Sequence, residues 1–208
     1  LPVPISTPGW DNGPYLSSGH FITKDPATGT QNVGIYRGQI KAPNRLGMNT
    51  SVELRPGGFR HWLAWKELRQ PMPCAVAIGP PPAVSYGAVQ KVPLDLDEIA
   101  VVGGLIGAPV NVVQGISVDL MVSAESELII EGFVDTEYLE PEGPFGESHG
   151  HVNLMEYNGF MTVTTITRKT KPIFTSIISQ VTPSESSVIK RVAYEPLFLN
   201  HLQSQLGI

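Results

Sequence analysis

The sequence is short of cysteine, of charge and of long apolar runs, and each shortage closes off a class of function. Cys74 is the only cysteine, so no internal disulfide can form. It sits in the apolar run Pro73-Cys-Ala-Val-Ala-Ile78, a setting for a buried, inert thiol rather than a nucleophile. Charged residues make up only 16% of the chain, and 14 Lys and Arg against 19 Asp and Glu leave a formal net charge of −5. No Lys/Arg cluster offers a footprint for a phosphate backbone, so no nucleic-acid partner is expected and any anionic ligand must be held locally. Apolar runs stay far below the roughly 18 residues that span a bilayer, and the start, Leu1-Pro-Val-Pro, lacks the basic and apolar regions of a signal peptide. The expectation is a soluble, cytoplasmic protein with no membrane span. Repeats, low-complexity tracts and a convincing internal linker are also missing, which suggests one globular domain with a small appendage. There is no initiator Met, and Leu202-Gln-Ser-Gln-Leu-Gly-Ile208 stops just past an apolar periodic segment. Both ends read as cuts from a longer protein.

What the chain has in quantity is glycine, 21 residues, and proline, 19, placed so that most segments between them are only strand-length. Seven candidate strands, rich in Val, Ile, Thr and aromatics, are Asn32–Arg37, Met48–Leu54, Cys74–Ile78, Val110–Gln114, Glu127–Val134, Phe160–Thr167 and Ile173–Ile178. So many short strands suggest a barrel or a sandwich. Three helices are expected. One runs from about His61 to Arg69 with Trp62, Trp65 and Leu68 on one face, ending at Pro71. Another begins at Asp95-Leu-Asp-Glu98 and buries Ile99, Val102 and Ile106. The last opens with Thr182-Pro-Ser-Glu185 as a capping box with Pro at the first helical position, carries Val188, Ile189, Val192 and Leu199, and kinks at Pro196. The turn-rich segment Pro8–Gly29 is expected to wrap the surface of the core.

Three groups of residues could carry chemistry. Pro141-Glu-Gly-Pro-Phe-Gly-Glu147 places a carboxylate near each end of a short loop. In a partly dry site two such acids repel and one can keep its proton near neutral pH, although two solvated acids on a surface turn fit the spacing as well. Asn32-Val-Gly-Ile-Tyr-Arg37, as a strand, alternates Asn32, Gly34 and Tyr36 with Val33, Ile35 and Arg37. Gly34 would let a flat ligand approach the backbone, and Arg37 could grip a carboxylate or simply face solvent. Finally, Asn32, His61 and Glu98 would suit Mn or Mg rather than structural zinc. Their spacing does not by itself reveal a site, since a place near a helix cap accounts for His61 equally well and a capping box with Asp95 accounts for Glu98.

Taken together and in order, Asn32–Arg37, Arg60-His61-Trp62, Val76-Ala-Ile-Gly79, Asp97-Glu98, Val118-Asp-Leu120, Glu131-Gly132 and Glu142-Gly-Pro-Phe-Gly-Glu147 resemble the UbiD family of decarboxylases over nearly the whole chain. The resemblance implies a mainly β, α+β fold. Its centre would be a split β-barrel, the flavin-binding core, over residues 1–182, with 183–208 a terminal helix or linker toward a domain not in this chain. It implies Arg37, Glu142 and Glu147 as the catalytic network, with Glu147 the proton donor. It assigns prenylated FMN to Asn32, Gly34, Ile35, Arg37, Arg60, His61 and Glu98, and a metal, Mn2+ or Mg2+, to Asn32, His61 and Glu98, with K+ as a companion. A flavin prenyltransferase would supply the cofactor. The implied reaction removes CO2 reversibly from an aromatic or α,β-unsaturated carboxylic acid through a covalent cofactor adduct, in a protein that is a homo-oligomer at full length. The alternative is a flavin-binding module without catalysis.

Overall fold

The computed structural model describes residues 1–50, 56–93, 95–177 and 181–208. Strands β1 (Tyr15–Lys24), β2 (Gln31–Ala42), β3 (Arg45–Met48), β4 (Met72–Ile78), β7 (Leu128–Val134) and β9 (Val152–Arg168) pair antiparallel in the order β3-β2-β1-β4-β7-β9, and β3 pairs back onto β9. The sheet therefore closes on itself as a barrel, which removes its free edges. Strand β8 (Glu140–Gly146) is added to β9 outside that ring, and β5 (Val112–Gln114) with β6 (Met121–Ser123) makes a separate hairpin.

Alternation along the strands fills two cores. Phe21, Cys74, Val76, Ile78, Leu128, Ile130 and Met161 belong to one buried cluster, into which helix α1 (Gly57–Glu67) inserts Trp62. Their neighbours Ile22, Ala75, Ala77 and Ile129 belong to a second, with Val118, Leu120 and Val122 of the 112–123 hairpin. Strand β4 is buried on both faces, and small alanines on its second face pack with the hairpin and with Ala88, the C-cap of the short helix α2 (Pro82–Gly87). Cys74 lies inside the first cluster with no exposure, and burial pushes its thiol pKa up. Among the described residues no helix is long and apolar enough to cross a membrane.

Several expectations change. The stretch expected to wrap the surface contains β1, a central barrel strand paired with both β2 and β4. Its Ser17-Ser18 bulge breaks the apolar alternation, which hid it from a periodicity reading. Residues 173–177 form no strand. They lie across that bulge instead, tied by Ser18 Oγ to the Thr175 carbonyl at 2.8 Å and by Ser17 Oγ to the Ile177 carbonyl. The candidate strand Met48–Leu54 meets β3 only at Met48, and its residues 51–54 lie outside the described ones. Helix α1 starts at Gly57, four residues before His61, because two glycines disguise its first turn; Leu68, its C-cap, is exposed. Helix α3 (Glu98–Ile106) is capped by Asp97 rather than Asp95, with Val102 buried and Ile106 exposed. Helix α4 (Glu185–His201) is capped by Ser184 in a box with Ser187, so Pro183 precedes the helix, and a π-helical turn, Leu202–Leu206, follows.

Candidate functional site

One cavity of about 470 Å³ runs along β2. Residues 32–37 form a wall, the first turn of α1 closes one end, Phe145 and Glu147 lie at the other, and α4 faces the opening with Ser186, Ile189, Lys190 and Tyr194. The volume falls within the range of small-molecule sites.

At the β8 end the two acids of the 141–147 segment converge on Arg37. Its Nε and Nη2 donate to Glu142 at 3.0 Å each, and its Nη1 donates to Glu147. Two register shifts along β8, between Glu140 and Glu142 and between Glu142 and Phe145, turn both carboxylates the same way. The segment is a bulged strand, not the loop expected from its glycines and prolines. Gly143, at φ +108°, is where the bulge requires glycine, since a side chain there would also press on the Asn153 carbonyl. Burial works against the Arg37 cation, but Glu142 and Glu147 outweigh it and raise its pKa above the ordinary arginine value. The Phe145 ring lies 4.8 Å from the guanidinium carbon and packs on buried Tyr15. Three of the five guanidinium N–H bonds are thus spent on glutamates, and the other two have no acceptor among the described residues.

The residue missed by sequence reasoning here is Asn49. Buried just past β3, it donates from Nδ2 to Glu142 Oε2 at 2.7 Å, and its backbone N–H donates to the Arg37 carbonyl. Glu142, whose side chain has no exposure, accepts three bonds, whereas the Glu147 side chain is 22% exposed. Nothing in the spacing of Asn49 marks it, because it reaches the site only through barrel closure.

At the α1 end Asn32, His61 and Glu98 come together from three elements. Glu98 does not complete a capping box with Asp95; its carboxylate accepts from Val33 N at 2.9 Å and Asn32 Nδ2 at 2.5 Å. Its burial raises its pKa, and those bonds resist the rise. His61 is buried, which lowers its pKa against the pull of Asp25, and its Nδ1 is bonded to Thr23 Oγ1 at 2.9 Å. Thr23 is the cross-strand partner of Asn32, and a side chain at Gly57, one helical turn before His61, would stand 2.5 Å from Asn32 Oδ1. That oxygen is buried and has no hydrogen-bond partner among the described residues. A buried acceptor with no donor among the described residues, beside the Glu98 carboxyl and an imidazole that burial disposes toward its neutral form, fits a divalent cation of the Mn or Mg kind. Among the described residues no three His, Cys, Asp or Glu side chains cluster as a metal site; this group offers two such residues and an amide.

Ile35 and Arg60 also line the cavity. Gly34 does too, but the space over it is taken by the Tyr36 ring, within 2.6 Å of where a Cβ would lie. Its smallness lets Tyr36 fold back and accept from Gly58 N at 3.3 Å, so the glycine serves that contact rather than the approach of a flat ligand to the backbone. Burial pushes the Tyr36 hydroxyl up to about 12.

The model of the UbiD family, described as the 3-octaprenyl-4-hydroxybenzoate carboxy-lyase Rift-related domain, matches residues 1–181. HmfF from Pelotomaculum thermopropionicum, a UbiD-class enzyme solved in complex with FMN, is 29% identical, with a TM-score of 0.89 over 98% of this chain and 44% of its own. An evolved dimeric form of it, solved with prFMN, gives the same identity and TM-score over 98% of this chain and 46% of its own. Vanillic acid decarboxylase from Sedimentibacter hydroxybenzoicus, in its closed form, is 30% identical, with a TM-score of 0.76 over 83% of this chain and 36% of its own. The chain thus spans less than half the length of these relatives.

Proposed function

The chain belongs to the UbiD family, and on that premise we propose that it is the cofactor-binding core of a reversible decarboxylase acting on an aromatic or α,β-unsaturated carboxylic acid. The observation that carries the reading is a single cavity lined at one end by Arg37 and Glu147, with Glu142 buried behind the guanidinium, and at the other by Asn32, His61 and Glu98. Turnover is proposed for the whole protein, the cofactor being prenylated FMN made by a flavin prenyltransferase.

Asn32 Oδ1, Glu98 and His61 would hold Mn2+ or Mg2+, with K+ nearby, and the metal would neutralise the cofactor phosphate. Arg60 and the positive end of the α1 dipole give that end of the cavity the character of an anion site. When bound, prenylated FMN supplies an electron sink for the pair left behind as the carbon–CO2 bond breaks.

The chain's own residues manage charge and protons. Glu142 has both oxygens occupied by Arg37 and Asn49, so it serves as a fixed acceptor that aligns the guanidinium. The other two N–H bonds of Arg37 orient the substrate carboxylate. Glu147 donates the proton to the carbon that has lost CO2 and, in the carboxylating direction, removes it. Partial exposure lets Glu147 be reloaded from water, a route closed to Glu142. Phe145 and the apolar wall at Ile35 and Ile189 limit water around the reacting carbon.

The test is to coexpress the whole protein with a flavin prenyltransferase, purify it without oxygen, and record its absorbance and metal content beside His61→Ala. Modified flavin and Mn should copurify and be lost together in the variant. The parent should release CO2 from members of a panel of hydroxybenzoic and cinnamic acids, and Glu147→Gln should keep the flavin while losing turnover. A colourless, metal-free parent would sink the proposal.

A further inference from the structure

Five buried side-chain polar atoms lack a hydrogen-bond partner among the described residues: Asn32 Oδ1, Gln90 Nε2, Ser123 Oγ, Ser126 Oγ and Asn158 Nδ2. Only Asn32 and Gln90 also line the cavity, and they are of opposite kinds. Asn32 presents an acceptor, which suits a cation. Gln90 presents a donor, which suits an oxygen or nitrogen lone pair. Donors are rarely buried unpaired unless a partner binds there.

The position of Gln90 narrows the partner. It follows α2, where its backbone N–H donates to the Gly87 carbonyl at 3.0 Å. Ala88, two residues earlier, shares an apolar cluster with Val33 and Ile35. The loop therefore lies against the middle of β2, between the Asn32 end and the Arg37 end. On the flavin reading an anionic phosphate would be served by Arg60 and the metal site at Asn32, His61 and Glu98, so the acceptor facing Gln90 belongs to the uncharged part of the ligand. We infer that Gln90 is a cofactor-binding residue whose carboxamide donates to a carbonyl or hydroxyl oxygen of the flavin ring or its ribityl chain. This rests on the flavin reading above.

The experiment titrates FMN and riboflavin into the flavin-free whole protein and into Gln90→Met, which keeps the length of the side chain and removes the donor. One lost hydrogen bond corresponds to about a tenfold weaker affinity, and the loss should be equal for both flavins because the phosphate is not involved. Flavin-free Gln90→Met should melt no lower than the parent, since the donor has no partner among the described residues. Unchanged affinity in the variant would overturn the inference while leaving the flavin reading intact. A loss with FMN but not with riboflavin would move the contact to the phosphate and overturn it too, as would a lower melting temperature of the flavin-free variant, which would make Gln90 structural. A parent that binds neither flavin would remove both readings together.

Discussion

Replacing Arg37 by Met should destabilise the protein far more than the loss of one surface charge. The Glu142 side chain has no exposure and that of Arg37 is 11% exposed, so the pair has been taken out of water and depends on its internal bonds. Without Arg37, Glu142 keeps only Asn49 among the partners described here. Breaking a buried pair in this way costs roughly 3–5 kcal/mol, because an uncompensated charge stays behind. Glu142→Leu strands the other partner less severely, since Arg37 retains Glu147 and the Phe145 ring; about 2 kcal/mol is expected. The double variant buries no unpaired carboxylate and should cost well under the sum, with a coupling of at least ~2 kcal/mol. Urea unfolding followed by tryptophan fluorescence measures all four corners of this cycle, and an unchanged m value would show that the native state is still compact. Single costs that add to within ~0.5 kcal/mol would refute the claim that the two charges depend on each other.

Two further perturbations test other parts of the structure. Asn49→Ala should retain flavin but lower kcat by roughly tenfold to a hundredfold, with KM little changed, as Glu142 and Arg37 lose alignment; an unaltered kcat would remove Asn49 from the positioning network. His20, buried between the Ala77 carbonyl and Ser85 Oγ, has its pKa lowered by burial from 6.5 to about 4. The unfolded chain then binds more protons between those values, so this residue's contribution is complete above pH 6.5 and is lost as pH falls toward 4. That amounts to about 3 kcal/mol. Unfolding free energies measured from pH 7 to 4 should fall less steeply in His20→Gln than in the parent, and equal slopes would show that His20 does not titrate as its burial requires.

How much of the site could be read in advance depended on how far apart its parts lie in the chain. Glu142 and Glu147 are close in sequence, so their pairing could be anticipated even though the segment was taken for a loop. Asn32, His61 and Glu98 come from a strand and two helices, and no spacing rule links them; they were legible only through resemblance to a family. Asn49 and Gln90 were not legible at all, since an asparagine after a short strand and a glutamine after a one-turn helix carry no signal until the barrel is closed.

The sequence by itself determined the local chemistry. Frequent glycine and proline limited the elements to short strands, short runs rich in Val, Ile, Thr and aromatics marked β4, β7 and part of β9, and the motifs named the acids and the arginine, because each of these depends on neighbours within a few residues. The tertiary structure alone decided that the sheet closes through β3 and β9, that β1 is central rather than peripheral, and which of two glutamates meets water. Those outcomes are set by strand pairing and burial between residues distant in the chain, more than a hundred positions apart for β3 and β9, and the Arg37–Glu142 pair, brought together by barrel closure, is their chemical consequence.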